Sequence, residues 1–232
     1  IHSSEFYVDD KLVKVITCVH PAMDMVTFRI ESELLENGNL EIVVDFPYPD
    51  LQRGKPWSGN FEQVNGHRTV LLNSPGNRYR ADFLHEIDSF KYYSTLVCNG
   101  DGKLAVPDDS QSNAFRILSG GASSIEFICA FSDSPLPAKL DDFRLTFKKC
   151  TRNWQDFWKS GGAIDLSGST DPRWKELERR IVLSQYLLAV QSAGSFPPSE
   201  AGLMEVDPWR GQFHMEMTWW HLAHYGLWNR WS

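Results

Sequence analysis

The arrangement of apolar and polar positions changes character about three fifths of the way along the chain. Up to about Phe131, apolar residues come in short runs rich in β-branched and aromatic side chains. "KLVKVITCVH", "MVTFRIES", "LEIVVDFPY", "HRTVLLNS", "FKYYSTLVCNG", "AFRILSG" and "SIEFICAF" each read as a strand. Turn formers separate them at Asn37-Gly38, Asn65-Gly66, Pro75-Gly76, Asn99-Gly100 and Gly120-Gly121. Asn37-Gly38 and Asn65-Gly66 tolerate positive φ, which predicts tight hairpins there. Strands that follow one another without helices predict an antiparallel β-sandwich.

Beyond "SDSPLPAKL" the repeat lengthens to three and four. Phe143, Phe147, Cys150, Trp154, Phe157 and Trp158 mark one face of a helix that Gly161-Gly162 ends. A second helix is expected from Asp171-Pro172, a side-chain cap followed by proline, to Gly194. From Ile181 onward its apolar residues go all round, which predicts burial on several sides. The boundaries expected are a β-sandwich over 1–138, a linker helix and connector over 139–168, and the start of a helical domain over 169–232.

The chain ends in "GQFHMEMTWWHLAHYGLWNRW", Gly211 to Trp231. Eight of the nine tryptophans follow residue 150, so packing or recognition is expected in the helical half. Within this stretch Trp220, Ala223, Leu227 and Trp231 have helical spacing, which predicts a packed helix. His214, Glu216 and Thr218 alternate with Met215 and Met217, which lines up the polar groups only on extended backbone, as at the lip of a polar pocket. His214, Glu216, His221 and His224 lack the HExxH spacing of a zinc helix, and no metal or other cofactor is implied. Arg210 and Arg230 alone do not make the basic face of a membrane-surface helix.

Charge and composition narrow the partners. Apolar residues at 42% and charged residues at 23% are an ordinary globular balance. A net charge of −7 without a basic cluster opposes nucleic-acid binding. No apolar run approaches the roughly 20 residues of a membrane span. Ile1 in the place of an initiator methionine, with no signal pattern after it, is expected of a processed or trimmed chain. Cys18, Cys98, Cys129 and Cys150 form no CxxC pair; three lie in strand-like runs where buried thiols are common, and disulfides stay open.

"LERRIVLSQYLLAVQSAGSFPPSEAGL", a Trp/Gly turn and "FHMEMTWW" together resemble the start of the catalytic domain of six-hairpin (α/α)6-barrel glycosidases. The similar families are the inverting α-L-fucosidases and the maltose/kojibiose phosphorylase and acid trehalase family. "NWQDFWKSGGAIDLS" is similar to the linker helix that joins sandwich to barrel in them. The resemblance spans about Trp154–Trp220. It implies an α+β chain: an antiparallel β-sandwich, a linker helix and the first helices of an (α/α)6-type barrel, a fragment of a larger enzyme. It also implies carbohydrate as substrate, an extracytoplasmic location, and a barrel completed by the same or another chain, while charge and composition leave no nucleic-acid or membrane partner expected.

The fucosidase-type motif His-x-Asn-x-Asn becomes His214, Glu216 and Thr218 here. A carboxylate in that position acts as general base itself or binds sugar hydroxyls. The phosphorylase-type Trp-Asp pair has no close counterpart, so phosphorolysis gains no support. Inverting hydrolysis needs two carboxyls about 6.5–9.5 Å apart, one of them protonated. Glu216 is the candidate catalytic residue, with Trp209, His214, Thr218, Trp219 and Trp220 as substrate contacts. Glu200, Glu205 and Asp207 lie in the loop before them, and the general acid is expected outside this chain. The alternative is a non-catalytic carbohydrate-binding or structural module. Its platform would be Trp57, Tyr48, Tyr92 and Tyr93.

Overall fold

The computed structural model describes residues 1–49, 59–62, 66–73, 78–99, 101–105, 113–194 and 213–230. Described residues up to Trp154 form one compact unit and those from Gln155 a second. The class is mixed α+β, with antiparallel sheets and three α-helices among the described residues.

The first unit holds β1 (His2–Val8), β2 (Lys11–Val19), β3 (Met25–Glu31), β4 (Glu41–Asp45) and β5 (His67–Leu71). It continues with β6 (Arg80–Ile87), β7 (Phe90–Asn99), β8 (Gly102–Ala105), β9 (Ala114–Ser119) and β10 (Ser124–Ser132). Seven strands pair in the order β1-β2-β3-β10-β7-β6-β5, and three in the order β4-β9-β8. One core joins the two sheets. Val13, Ile30, Phe83, Leu96 and Phe127 enter it from the larger sheet, and Leu104, Phe115 and Ile117 from the smaller.

The central strand β10 is buried on both sides, which explains its near-continuous apolar run. Ile125, Phe127 and Cys129 face the inter-sheet core. Ile128 and Ala130 pack on the opposite face with Met25, Leu136 and Leu140. The same face receives the start of α1 (Phe143–Lys159), whose buried residues are Phe143, Thr146 and Cys150. Arg29 pairs with Glu126 and lays its guanidinium 4.5 Å from the centre of the Phe143 ring. His20 accepts at Nδ1 from Ala22 N–H (3.1 Å), so its Nε2 carries the proton given to Asp141 at 3.0 Å. That bond ties the residues just before α1 to the β2–β3 turn.

Two turns differ from expectation. The β1–β2 hairpin turns on Asp9-Asp10, with φ of 47° and 57°, a primed two-residue loop without glycine. Asn37-Gly38 instead follows a short 3₁₀ helix, Glu33–Leu35, in the crossing from β3 to β4, and Gly38 supplies φ 68°. At Gly66 the requirement is space: a Cβ there would lie 2.4 Å from Tyr48 Cδ2. All four cysteines are free and buried. Burial pushes the thiols of Cys98 and Cys129 up to about 12.

The second unit contains the end of α1, α2 (Trp174–Gln191), α3 (Met215–Leu222) and a 3₁₀ helix, Ala223–Trp228. The start of α2 falls two residues later than the cap predicted. Asp171 Oδ1 accepts from Arg173 N–H (2.9 Å), forming a turn ahead of the helix. The expected all-round burial of its second half is not found: Gln185 and Leu188 alone are buried in α2, while Val182, Leu183, Tyr186 and Leu187 are exposed.

The packed-helix reading of the terminal stretch is corrected as well. Trp220 is 68% and Leu227 79% exposed, and no residue of α3 is buried. Arg230 takes the central place instead. Its Nε donates to Gln185 Oε1 (2.8 Å), Nη1 donates to the Phe157 carbonyl, and the guanidinium lies 4.0 Å from the Phe157 ring centre. Gly162 N–H donates to the Trp228 carbonyl at 2.7 Å, with Gly161 at φ 73° beside it.

Candidate functional site

A groove of about 540 Å³ opens on the second unit between α2 and the α3–3₁₀ segment. The α2 wall presents Arg180, Ser184, Leu187, Leu188 and Gln191, spaced as one face of a helix. Opposite stand Trp220, His221, His224 and Trp228. Most of the surface is apolar, with polar groups placed singly, and the volume falls within the range of about 300–1,000 Å³ typical of ligand pockets.

Local hydrogen bonds hold the second wall in place. Tyr225 Oη donates to the Gln185 carbonyl (2.8 Å), fastening the 3₁₀ segment to the middle of α2. Trp228 Nε1 donates to His224 Nδ1 at 3.1 Å. This bond leaves the proton of neutral His224 on Nε2, so this groove-lining ring keeps one fixed donor. Partial burial lowers the His224 pKa and favours that neutral form.

The predicted site residues are only partly brought together. Trp220 lines the groove. Glu216 and Thr218 sit in the opening turns of α3, and of the three polar residues His214 alone, just before the helix, has extended backbone (φ −120°, ψ 115°). The extended polar edge is therefore corrected. Thr218 N–H and Oγ1 both donate back to the His214 carbonyl, at 3.2 and 3.4 Å, as a helix requires. On that helix Glu216 and Trp220 are one turn apart on a shared face. Glu216 is exposed, and Trp219 is 71% exposed without lining the groove. Trp209, Glu200, Glu205 and Asp207 lie outside the described residues, as does Trp57.

Arg180, Ser184, Gln191 and Trp228 were not among the sequence candidates. For Arg180, Ser184 and Gln191 the signal was present as polar residues at steps of four and seven along α2. His221 and His224, weighed above as metal ligands, both line the groove. No group of three metal-ligating side chains comes together among the described residues.

The first unit has a buried polar cluster of its own. His85 is fully buried, with Nδ1 3.0 Å from Thr69 Oγ1, Nε2 2.7 Å from Ser94 Oγ, and Tyr92 stacked on it at 4.4 Å. Burial and the neighbouring His67 lower its pKa to about 4. His67 Nε2 donates to the Phe46 carbonyl at 2.6 Å, while its Nδ1 has no partner among the described residues. Tyr92 and Tyr93 are successive residues of β7 and face opposite sides of the sheet, and Tyr48 packs over Gly66. These three tyrosines do not form a shared platform.

The sequence matches no family model and no curated protein. Among solved structures it is similar to one titled "Putative kojibiose phosphorylase from human microbiome", at a TM-score of 0.32 and 8% identity. That match covers 78% of this chain and 22% of the other, so the chain spans about a fifth of that neighbour.

Proposed function

We propose that this chain is part of a carbohydrate-active enzyme, a glycoside hydrolase segment whose α2–α3 groove binds sugar rings. The observation that carries the reading is the groove itself, where Trp220 and Trp228 stand beside the fixed donor of His224 and the polar groups of Ser184 and Gln191. Aromatic faces suit the apolar faces of pyranose rings, and the donors and acceptors suit their hydroxyls. The sequence resemblance around "FHMEMTWW" supports the same reading from a separate direction. Within it, residues 1–138 form a β-sandwich, 139–168 a linker and 169–232 the beginning of an (α/α)-barrel wall.

Glu216 is the proposed base or hydroxyl ligand, one helical turn from Trp220. His214, Thr218 and Trp209 complete the proposed sugar contacts, and the protonated carboxyl comes from another part of the enzyme. Inversion at the anomeric centre follows if the two carboxyls are separated widely enough to admit water.

The test is titration of the full chain with a panel of neutral oligosaccharides. Trp220→Ala is expected to weaken binding at least about tenfold, the loss of one stacking face. Unchanged affinity in this variant would show that the groove is not the sugar site. Glu216→Gln is then assayed for hydrolysis in the enzyme that contains this segment; full activity there would remove Glu216 from catalysis.

A further inference from the structure

The described lining of the groove carries one sign of charge. Its ionisable side chains are Arg180, His221 and His224, and no Asp or Glu is among them. This stands out in a chain of net charge −7. Arg180 is also only partly used by its own helix. Glu176, one turn earlier, accepts from Arg180 Nε at 2.8 Å, and accepts two bonds from Arg179. Neither terminal nitrogen of Arg180 makes a hydrogen bond to the described residues. Glu176 thus steadies the guanidinium by one edge while its end-on pair of N–H groups remains available. Such a pair matches the two oxygens of a carboxylate.

From this arrangement we infer that the groove selects carboxylate-bearing sugars, with the uronate carboxyl against the Arg180 fork and the ring beside Trp220. This inference rests on the sugar-groove reading above. His224 Nε2–H and the side chains of Ser184 and Gln191 then serve ring hydroxyls, which need no charge. A neutral oligosaccharide would use the same aromatic wall and leave the guanidinium fork to water. The preference for the acid is therefore an electrostatic increment on top of stacking.

The test pairs each acid with its uncharged twin. Trimers of galacturonate, glucuronate and mannuronate, and the methyl ester of each, are titrated into the full chain at fixed ionic strength. At least one acid is expected to bind about tenfold tighter than its ester, the increment of one charge-assisted hydrogen bond. Arg180→Gln should bring that pair to within about twofold by weakening the acid. Glu176→Gln keeps the cation, removes the competing carboxylate and should tighten the acid further, and circular dichroism verifies α2 in both variants. Equal binding of acid and ester in all pairs overturns the charge preference and leaves the sugar groove standing. An acid preference that survives Arg180→Gln also overturns it, because the charge is then read elsewhere. Failure of acids, esters and neutral oligosaccharides alike overturns both readings.

Discussion

His85 shows how much one side chain is altered by its place. Surrounded by Thr69, Ser94 and Tyr92 and without solvent, its ring is neutral down to a pKa of about 4, against 6.5 when free. The unfolded chain takes up a proton near pH 6.5 that the folded chain refuses, so this contribution to stability is complete above that pH. It is lost progressively as pH falls from 6.5 towards 4. Urea midpoints at pH 7 and pH 5 should therefore differ, and the difference should shrink in His85→Gln. Asp82 and Asp141 act in a lower window. Asp82 is depressed by its bonds from Arg80 and Thr95, which outweigh its desolvation, and Asp141 chiefly by Lys149. Their contributions are present above a pH near 3.8 and fade below it. Gly161 is an equally local case. At φ 73°, with the Trp228 carbonyl oxygen 2.2 Å from where a Cβ would sit, Gly161→Ala should destabilise the second unit by about 1–3 kcal/mol. The thermal midpoint of that unit, followed by helix signal, reads the effect.

Among the elements, legibility followed periodicity. Seven strands were visible because each carries a dense apolar run, and β10 most of all because it is buried on both faces. β1, β6 and β8 were missed for physical reasons. β1 is an edge strand with Phe6 and Tyr7 exposed, β6 alternates with charged and polar residues, and β8 has four residues. Turn chemistry misled in two places: Asn37-Gly38 follows a 3₁₀ helix instead of closing a hairpin, and two aspartates at positive φ, Asp9 and Asp10, make a hairpin that carries no Asn-Gly. α1 was legible from its three-and-four spacing, and its anchor is Phe143 beneath Arg29. Phe143→Ala should cost about 3–5 kcal/mol, measured by denaturant unfolding of the first unit. α2 was legible as a helix but not in its burial, because sequence alone does not say which apolar faces find partners. Of the two residues that α2 buries, Gln185 and Leu188, the first is polar. Gln185 holds Arg230 and, through its carbonyl, Tyr225, so Gln185→Leu should destabilise the second unit by about 1–3 kcal/mol. The candidate site divides the same way: Trp220 was found because tryptophans are conspicuous, whereas Arg180 was passed over within a helix of many charges.

The two units of the molecule are built unequally. The first has an apolar core fed by two sheets, while in the described part of the second only Gln185, Leu188 and Arg230 are buried. Amide hydrogen exchange should be slowest in β7 and β10 and markedly faster throughout α2 and α3. Uniform protection across both would contradict the asymmetry. The cysteines provide a second reading of the same contrast, since all four are buried thiols. A thiol reagent should label few or none in the folded protein and four after denaturation. The exposed tryptophans of α3 have an optical consequence. Indoles that face water emit at long wavelength and are open to collisional quenching by solutes. Trp219 and Trp220 are placed to respond in this way, Trp220 on the groove and Trp219 away from it. A molecule seated in the groove would shield one lamp and leave its neighbour lit, so the chain carries its own internal reference for occupancy.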